Sequence, residues 1–419
     1  MGRIVVHQSP ALHGSVTVPG AKNSVLKLMV ASLYATGEHR LENVPEISDV
    51  HTMGSLLGAL GVRVDFASRN ELRLVNDGNV SSVAPSDKVG EIRASINLLG
   101  PLVACRGEVR LDLPGGDDFG TRPIDMHVAG LSAMGVEFDT DVDRVSAVAR
   151  ELHGADITLD FPSVGATENI VCAAVHADGT TVLRNAAREP EAADLFTLLV
   201  EMGARIEGIG ESVVTVHGVE RGSLVPVRHA VVNDRIQAAT YMAAAAVTGG
   251  EIDVHGAVAD HMAMFLRKIG EMGVKVEAHD KGVRVHGPER LSAVDVATLP
   301  YPGIATDYKP LLVTMLAVAD GMGIVTENLY PGRFRYVEEL SRLGADIRTD
   351  GHHAIVRGVE RLRGAATTAP DIRAGAALLV AGLVAEGRTI ISGVEHIERG
   401  YDDLEGRLRS LGALIERQD

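Results

Sequence analysis

Six apolar, Ala-rich stretches of this 419-residue chain open on side chains suited to anions: Lys22-Asn23, Arg93, Ser163 to Thr167, Asp234-Arg235, Thr306-Asp307 and Asp371-Ile372-Arg373. A helix start presents unpaired N–H groups and a partial positive charge, so it gathers phosphates and carboxylates. An arginine at that positive end is mismatched on its own, and Arg93, Arg235 and Arg373 all sit there. A ligand phosphate or carboxylate that neutralises them is the expected remedy. Loops add more charge. The run PGGDDFGTRPIDMH holds Asp117, Asp118, Arg122, Asp125 and His127, YPGRF holds Arg333, and HIERGYDD holds Arg399. Any one of these arginines could be a plain surface salt bridge; their recurrence at equivalent places argues for a shared anionic substrate. The Gly-Gly before Asp117 predicts a mobile lid or, more plainly, a tight turn.

The elements that must position these groups repeat. A phrase of Leu or Met, Gly, Ala or Val, any residue and then an aliphatic or Phe recurs at Gly61, Gly135, Gly203, Gly273, Gly344 and Gly412. Each copy closes an amphipathic stretch such as EELSRLG, which predicts a left-handed glycine at the helix end and a strand after it. In step with it, the Ala-rich segments end in Gly at Gly37, Gly107, Gly179, Gly250, Gly321 and Gly387, again followed by strand patterns. Segments apolar all round are buried helices. The unit is thus a buried helix, a strand, an amphipathic helix and one or two strands, and six units of ~70 residues fill the chain. That period is too long for most solenoids and propellers. The fold class expected is α/β (α+β), with three units in each of two domains: 22–229, and 1–21 with 230–419.

Composition excludes much else. With 40 basic against 56 acidic side chains the net charge is −16, which disfavours nucleic acid as a partner. The apolar runs fall short of the ~20 residues that cross a bilayer, and the opening MGRIVVHQSP lacks a secretory pattern, so a cytoplasmic protein with no membrane partner is expected. Cys105 and Cys172 form no CxxC, which argues against a zinc site or disulfide framework. With no Trp and 46 Gly, the core must rest on small and aliphatic side chains and close-packed backbones. GIGESV at Gly208 and His352-His353 read as hairpin turns, Cys172 as core, and Cys105 has only Arg106 beside it to activate a thiolate.

The runs PGAKNSVLKL, RPIDMHVAGL, FPSVGATENI, RNAAREPE, NDRIQAAT, ATDYKP, GRF, APDIRAGAALLVAGL and HIERGY together resemble the UDP-N-acetylglucosamine enolpyruvyltransferase family, in order along essentially the whole chain. The related shikimate-3-phosphate enzymes carry a GNAGT-type helix start where this chain has EIRASINLLGP. The resemblance implies two inverse α/β domains of three repeats, with the active site in the cleft between them. It implies transfer of the enolpyruvyl group of phosphoenolpyruvate to the sugar 3-hydroxyl with release of phosphate, the first committed step of peptidoglycan synthesis, with no cofactor or metal.

By the same resemblance, Lys22, Arg122 and Arg399 hold the phosphoenolpyruvate phosphate, with Arg333 and Arg373 near its carboxylate. Asn23, Arg93, Pro123, Asp125, His127, Ser163, Val164, Gly165, Arg235, Leu329 and Asp371 complete the substrate contacts. Asp307 takes the hydroxyl proton, and Asp117 donates to the vinyl carbon. Three departures stand out. Asp117 replaces the lid Cys of most members, so an epoxide that alkylates that thiol, such as fosfomycin, is expected to spare this chain. Lys309 stands where a neutral or apolar residue is usual, and Pro331-Gly332 alters the loop that packs on the sugar. These two keep open a paralogue acting on another uridine nucleotide such as UMP, or a non-catalytic nucleotide-sugar binder. Against the latter, a binder has no need of both an acid and a base. The oligomeric state is left open.

Overall fold

The computed structural model describes residues 2–85, 89–90, 92–112, 123–141, 144–330 and 332–418. They form two compact units, one of residues 2–19 and 233–418 and one lying within 20–232. The chain passes between them at 19/20 and 232/233 rather than at the expected 21/22 and 229/230. The reason is pairing: strand Arg228–Ala230 runs parallel to Gly37–Glu42, and Ala21 N–H donates to Val232 O at 2.7 Å, so both flanks stay with the second unit.

Each unit has its own apolar core. At its centre lie three helices: α1 (Lys22–Ala31), α2 (Leu99–Arg106) and α3 (Val164–Ala174) in one, and α4 (Arg235–Thr248), α5 (Lys309–Ala317) and α6 (Ile372–Gly382) in the other. Every residue of α5 and α6 is buried, as an all-round apolar sequence requires. Small residues let backbones touch. A Cβ on Gly100 of α2 would lie 2.2 Å from Asn169 O of α3. Two helix starts differ from the sequence expectation. Arg93 opens a 3-10 stretch, Arg93–Leu98, and Asp307 lies in the 3-10 turn Thr306–Tyr308. Pro310 and Pro101, which lack a backbone N–H, fit only in the first turn of a helix and place the α-helical starts of α5 and α2 just before them.

Thr180–Arg184, the strand after α3, pairs antiparallel with Val213–His217 of its own repeat and parallel with Asp156–Thr158 of the preceding one, whereas Gly37–Glu42, after α1, takes its parallel partner from Arg228–Ala230. The N-terminal segment supplies two missing partners: Arg3–His7 pairs with Arg388–Ser392, and His13–Thr17 with Glu251–His255. Gly208 and His352 lie in hairpin connections as expected, and His353 opens the strand His353–Arg357.

All six repeat glycines, from Gly61 to Gly412, have φ between +89° and +113°. At Gly344 the space for a Cβ is open, so Gly344→Ala should cost only the backbone strain, about 1–2 kcal/mol. At Gly61 the Cβ would also meet Asn79 O at 2.5 Å, so Gly61→Ala should cost distinctly more. Urea unfolding of both variants ranks the two; equal midpoints would contradict the steric account.

Candidate active site

In the 233–418 unit, the starts of α4 and α6 and the turn before α5 meet at one carboxylate. Asp307 Oδ1 accepts from Arg333 Nη1 at 2.7 Å and Oδ2 from Arg373 Nε at 3.2 Å. Arg235 lies alongside, its Nη1 3.3 Å from Tyr308 Oη. The three arginines are 3–7 % exposed, while the Asp307 side chain keeps 22 % of its surface open. Burial pushes the Asp307 carboxyl up, but Arg373, Arg333 and Arg235 together outweigh it and hold the group well below the usual carboxylate range.

The mismatch foreseen at Arg235 and Arg373 is answered in part by the chain itself. Asp234 caps α4, accepting from Ile236 N–H at 2.8 Å and Gln237 N–H at 3.0 Å. Asp371 caps α6 in the same way through Arg373 N–H and Ala374 N–H. Arg373 Nη1 is buried and makes no hydrogen bond among the described residues. Arg399, half-buried, follows the short helix Val394–Glu398, and half-buried Leu329 donates its N–H to Glu327 Oε1 at 2.8 Å.

The other unit gathers helix starts of milder charge. Lys22, the first residue of α1, pairs with Asp49 at 2.8 Å, and Asn23 beside it is half-buried. Ser163 caps α3, whose first residues are Val164 and Gly165. Arg93 is half-buried, whereas Pro123 and Asp125 are exposed, Asp125 opening the helix Asp125–Ser132. His127, expected among the substrate contacts, stands behind the start of α3. It is buried, its Nδ1 accepts from Asn169 Nδ2 at 3.0 Å, and its ring lies against Gly165. Burial first, and then Arg93, push the imidazole down to about 4, so it packs as a neutral ring behind the α3 start.

Asp117, Asp118, Arg122 and Pro331, with most of the expected lid, lie outside the described residues. Among the described residues no group of three His, Cys, Asp or Glu could hold a metal, and no helix is long and apolar enough to cross a membrane. Cys172 is buried, and burial pushes the Cys105 thiol up to about 12, so neither is a ready nucleophile.

Residues 6–408 match the profile of the family EPSP synthase (3-phosphoshikimate 1-carboxyvinyltransferase). The chain is 48 % identical over 413 residues to the UDP-N-acetylglucosamine 1-carboxyvinyltransferase of Corynebacterium jeikeium (strain K411), covering 99 % of this chain and 98 % of that protein. It is also 48 % identical over 420 residues to the enzyme of the same name from Nocardia farcinica (strain IFM 10152), with the same coverage. The chain belongs to the EPSP synthase family. The crystal structure of the enolpyruvyl transferase NikO from Streptomyces tendae agrees with this enolpyruvyl transferase at a TM-score of 0.89 and 27 % identity, over 100 % of this chain and 99 % of that one.

Two features of this EPSP synthase-family site escaped the sequence reading. Glu327 has no spacing that sets it apart, yet it forms a fully buried ion pair with Lys309 at 2.9 Å. Asp49, the partner of Lys22, sits in an ordinary amphipathic helix. Only Lys309 carried a signal, as a charge in an apolar run.

The Asp307 cluster yields a stability prediction. Asp307→Asn takes from Arg333 and Arg373 the one carboxylate they bond directly, so it should destabilise the protein by about 3 kcal/mol. Added phosphate should restore part of the loss by occupying the same guanidinium groups. Thermal unfolding with and without phosphate checks this, and a variant as stable as the parent would contradict the balance of charge. Because the folded-state value is depressed, the carboxylate's contribution is complete above its ordinary value of 3.8 and is lost as pH falls through the lower folded one.

Proposed function

We propose that this enolpyruvyl transferase moves the enolpyruvyl group of phosphoenolpyruvate to the 3-hydroxyl of UDP-N-acetylglucosamine and releases phosphate, as a cytoplasmic enzyme of peptidoglycan synthesis. The observation that carries the reading is the Asp307 carboxylate, held ionised by buried arginines yet 22 % open, in a chain 48 % identical to enzymes of that name. The reaction needs a base at the acceptor hydroxyl, an acid at the vinyl carbon and cations for two polyanions.

Arg333 and Arg373 take the phosphoenolpyruvate carboxylate, with Arg373 Nη1 as one ready donor. Lys22, Arg122 and Arg399 take its phosphate. Asn23, Arg93, Pro123, Asp125, Ser163, Val164, Gly165, Arg235, Leu329 and Asp371 serve the nucleotide sugar, with neutral His127 backing Gly165. Asp117 protonates the vinyl carbon, the sugar oxygen bonds to the neighbouring carbon, and Asp307 receives the hydroxyl proton. The tetrahedral adduct then loses phosphate and a methyl proton, which restores the double bond. A carboxylate so strongly stabilised is a weak base on its own. Once the substrate carboxylate shares Arg333 and Arg373, less positive charge remains for Asp307 and its basicity rises. The donor substrate thus switches on the base.

Burial of Lys309 bears on the acceptor. Its ammonium is 0 % exposed and faces Glu327, so this departure places no charge where an acceptor would bind. A phosphate-release assay with phosphoenolpyruvate tests the reading. Release should require UDP-N-acetylglucosamine; turnover with UMP instead would move the acceptor, and none with either would remove the activity. Asp307→Ala should lose ~10²–10⁴-fold in kcat. Turnover within a few-fold of the parent would remove Asp307 as the base.

The acid makes a separate prediction. An ordinary Asp, with a pKa of ~3.9, is mostly ionised at neutral pH, whereas Cys, at ~8.5, is protonated. The parent should therefore favour more acidic pH than Asp117→Cys, whose activity should extend to higher pH. Fosfomycin should inactivate only the Cys variant. Covalent labelling of the parent at Asp117 or Cys105 would contradict this assignment.

A further inference from the structure

Glu327 follows the strand Met322–Thr326 and is fully buried, yet its carboxylate accepts five hydrogen bonds. Oε1 takes the Thr298 hydroxyl at 2.7 Å and the N–H groups of Leu329 and Tyr330 at 2.8 and 3.1 Å. Oε2 takes the Thr306 hydroxyl at 2.7 Å and Lys309 Nζ at 2.9 Å. Lys309 Nζ also donates to the Arg333 carbonyl at 2.5 Å and lies 3.9 Å from the centre of the Phe334 ring. Arg333 Nη1 in turn donates to Thr306 Oγ1 at 3.3 Å and to Asp307 at 2.7 Å. One carboxylate therefore grips both partners of the Arg333–Asp307 contact, Asp307 through its neighbour Thr306 and Arg333 through Lys309.

We propose that the buried Lys309–Glu327 pair is the positioning element that holds the Arg333 guanidinium on the reacting side of Asp307. It rests on the reading of Arg333 as a ligand of the phosphoenolpyruvate carboxylate. Neither member has exposed surface with which to touch a substrate. Lys309 first, and then the two threonines, keep Glu327 ionised against its burial, while burial pushes the Lys309 ammonium down to about 8. Removing the ammonium alone leaves a buried anion without its counter-charge and a carbonyl without its donor. A displacement of even ~1 Å at a substrate-orienting group can cost ~100-fold in rate.

The chemistry of position 309 separates positioning from simple support. A Gln amide carries two N–H groups, enough for Glu327 and for the Arg333 carbonyl; a Met carries none. Lys309→Gln should keep the KM for phosphoenolpyruvate within about 3-fold of the parent, whereas Lys309→Met should raise it on the order of 10–100-fold. The KM for UDP-N-acetylglucosamine should move far less. Since Lys309→Met strands a buried charge, the double variant Lys309→Met with Glu327→Gln, which buries none and keeps an amide oxygen for the Leu329 and Tyr330 N–H groups, keeps the test open if the single variant fails to fold. The double variant should melt above the single variant and still show the raised phosphoenolpyruvate KM, because the Arg333 carbonyl has lost its anchor. A folded double variant with the parental KM overturns the proposal. Arg333→Ala runs alongside: if it leaves that KM unchanged, the reading of Arg333 is at fault, and the inference falls with it.

Discussion

The Asp307 carboxylate takes hydrogen bonds from Arg333 and Arg373 at a place where helix starts converge, with Arg235 close by. Charges this deeply placed persist only when compensated, and the compensation reaches outward in shells. Asp234 and Asp371 cap the helices that carry Arg235 and Arg373, and Glu327 with Lys309 anchors the Arg333 backbone. In direct reach of Asp307 three guanidinium groups face one carboxylate, and the balance is completed only by Asp234 and Asp371 at the helix caps. That local excess is why the Asp307 carboxyl is held well below the usual carboxylate range.

The two units place different chemistry at their helix starts. One concentrates ionised side chains around Asp307. The other relies on helix-start N–H groups at Ser163 to Gly165, a neutral His127 behind them, and a lysine already shared with Asp49. Both depend on glycines at the places where helices touch. Gly100 against Asn169, and Gly375, where a Cβ would lie 2.5 Å from Ile397 Cγ1, let backbones approach closely enough to bring the starts together.

Much of this was legible in the sequence because it is local. The six left-handed glycines, the buried helices and the strands after them follow from spacing and from the conformational range of single residues. The charged residues at the helix starts were also visible, since helix ends are read from neighbours in the chain. Asp307 with Arg333 and Arg373 could be named, and the structure brings these three into contact.

Other features were decided only by tertiary structure. Arg228–Ala230 belongs with Gly37–Glu42, more than 180 residues away, and no local pattern announces that pairing. In the sequence His127 is only a polar residue of a charged loop; its burial against Asn169 and Gly165, which lowers the imidazole pKa, comes from packing. Lys309 looked like a charge beside the substrate until Glu327 was seen opposite it. In each case the chemistry of the side chain depends on a partner distant in sequence, because burial and electrostatic pairing are set by packing. Residue type and spacing determined the scaffold and the inventory of the site; three-dimensional neighbours decided which charges face a ligand and which face each other.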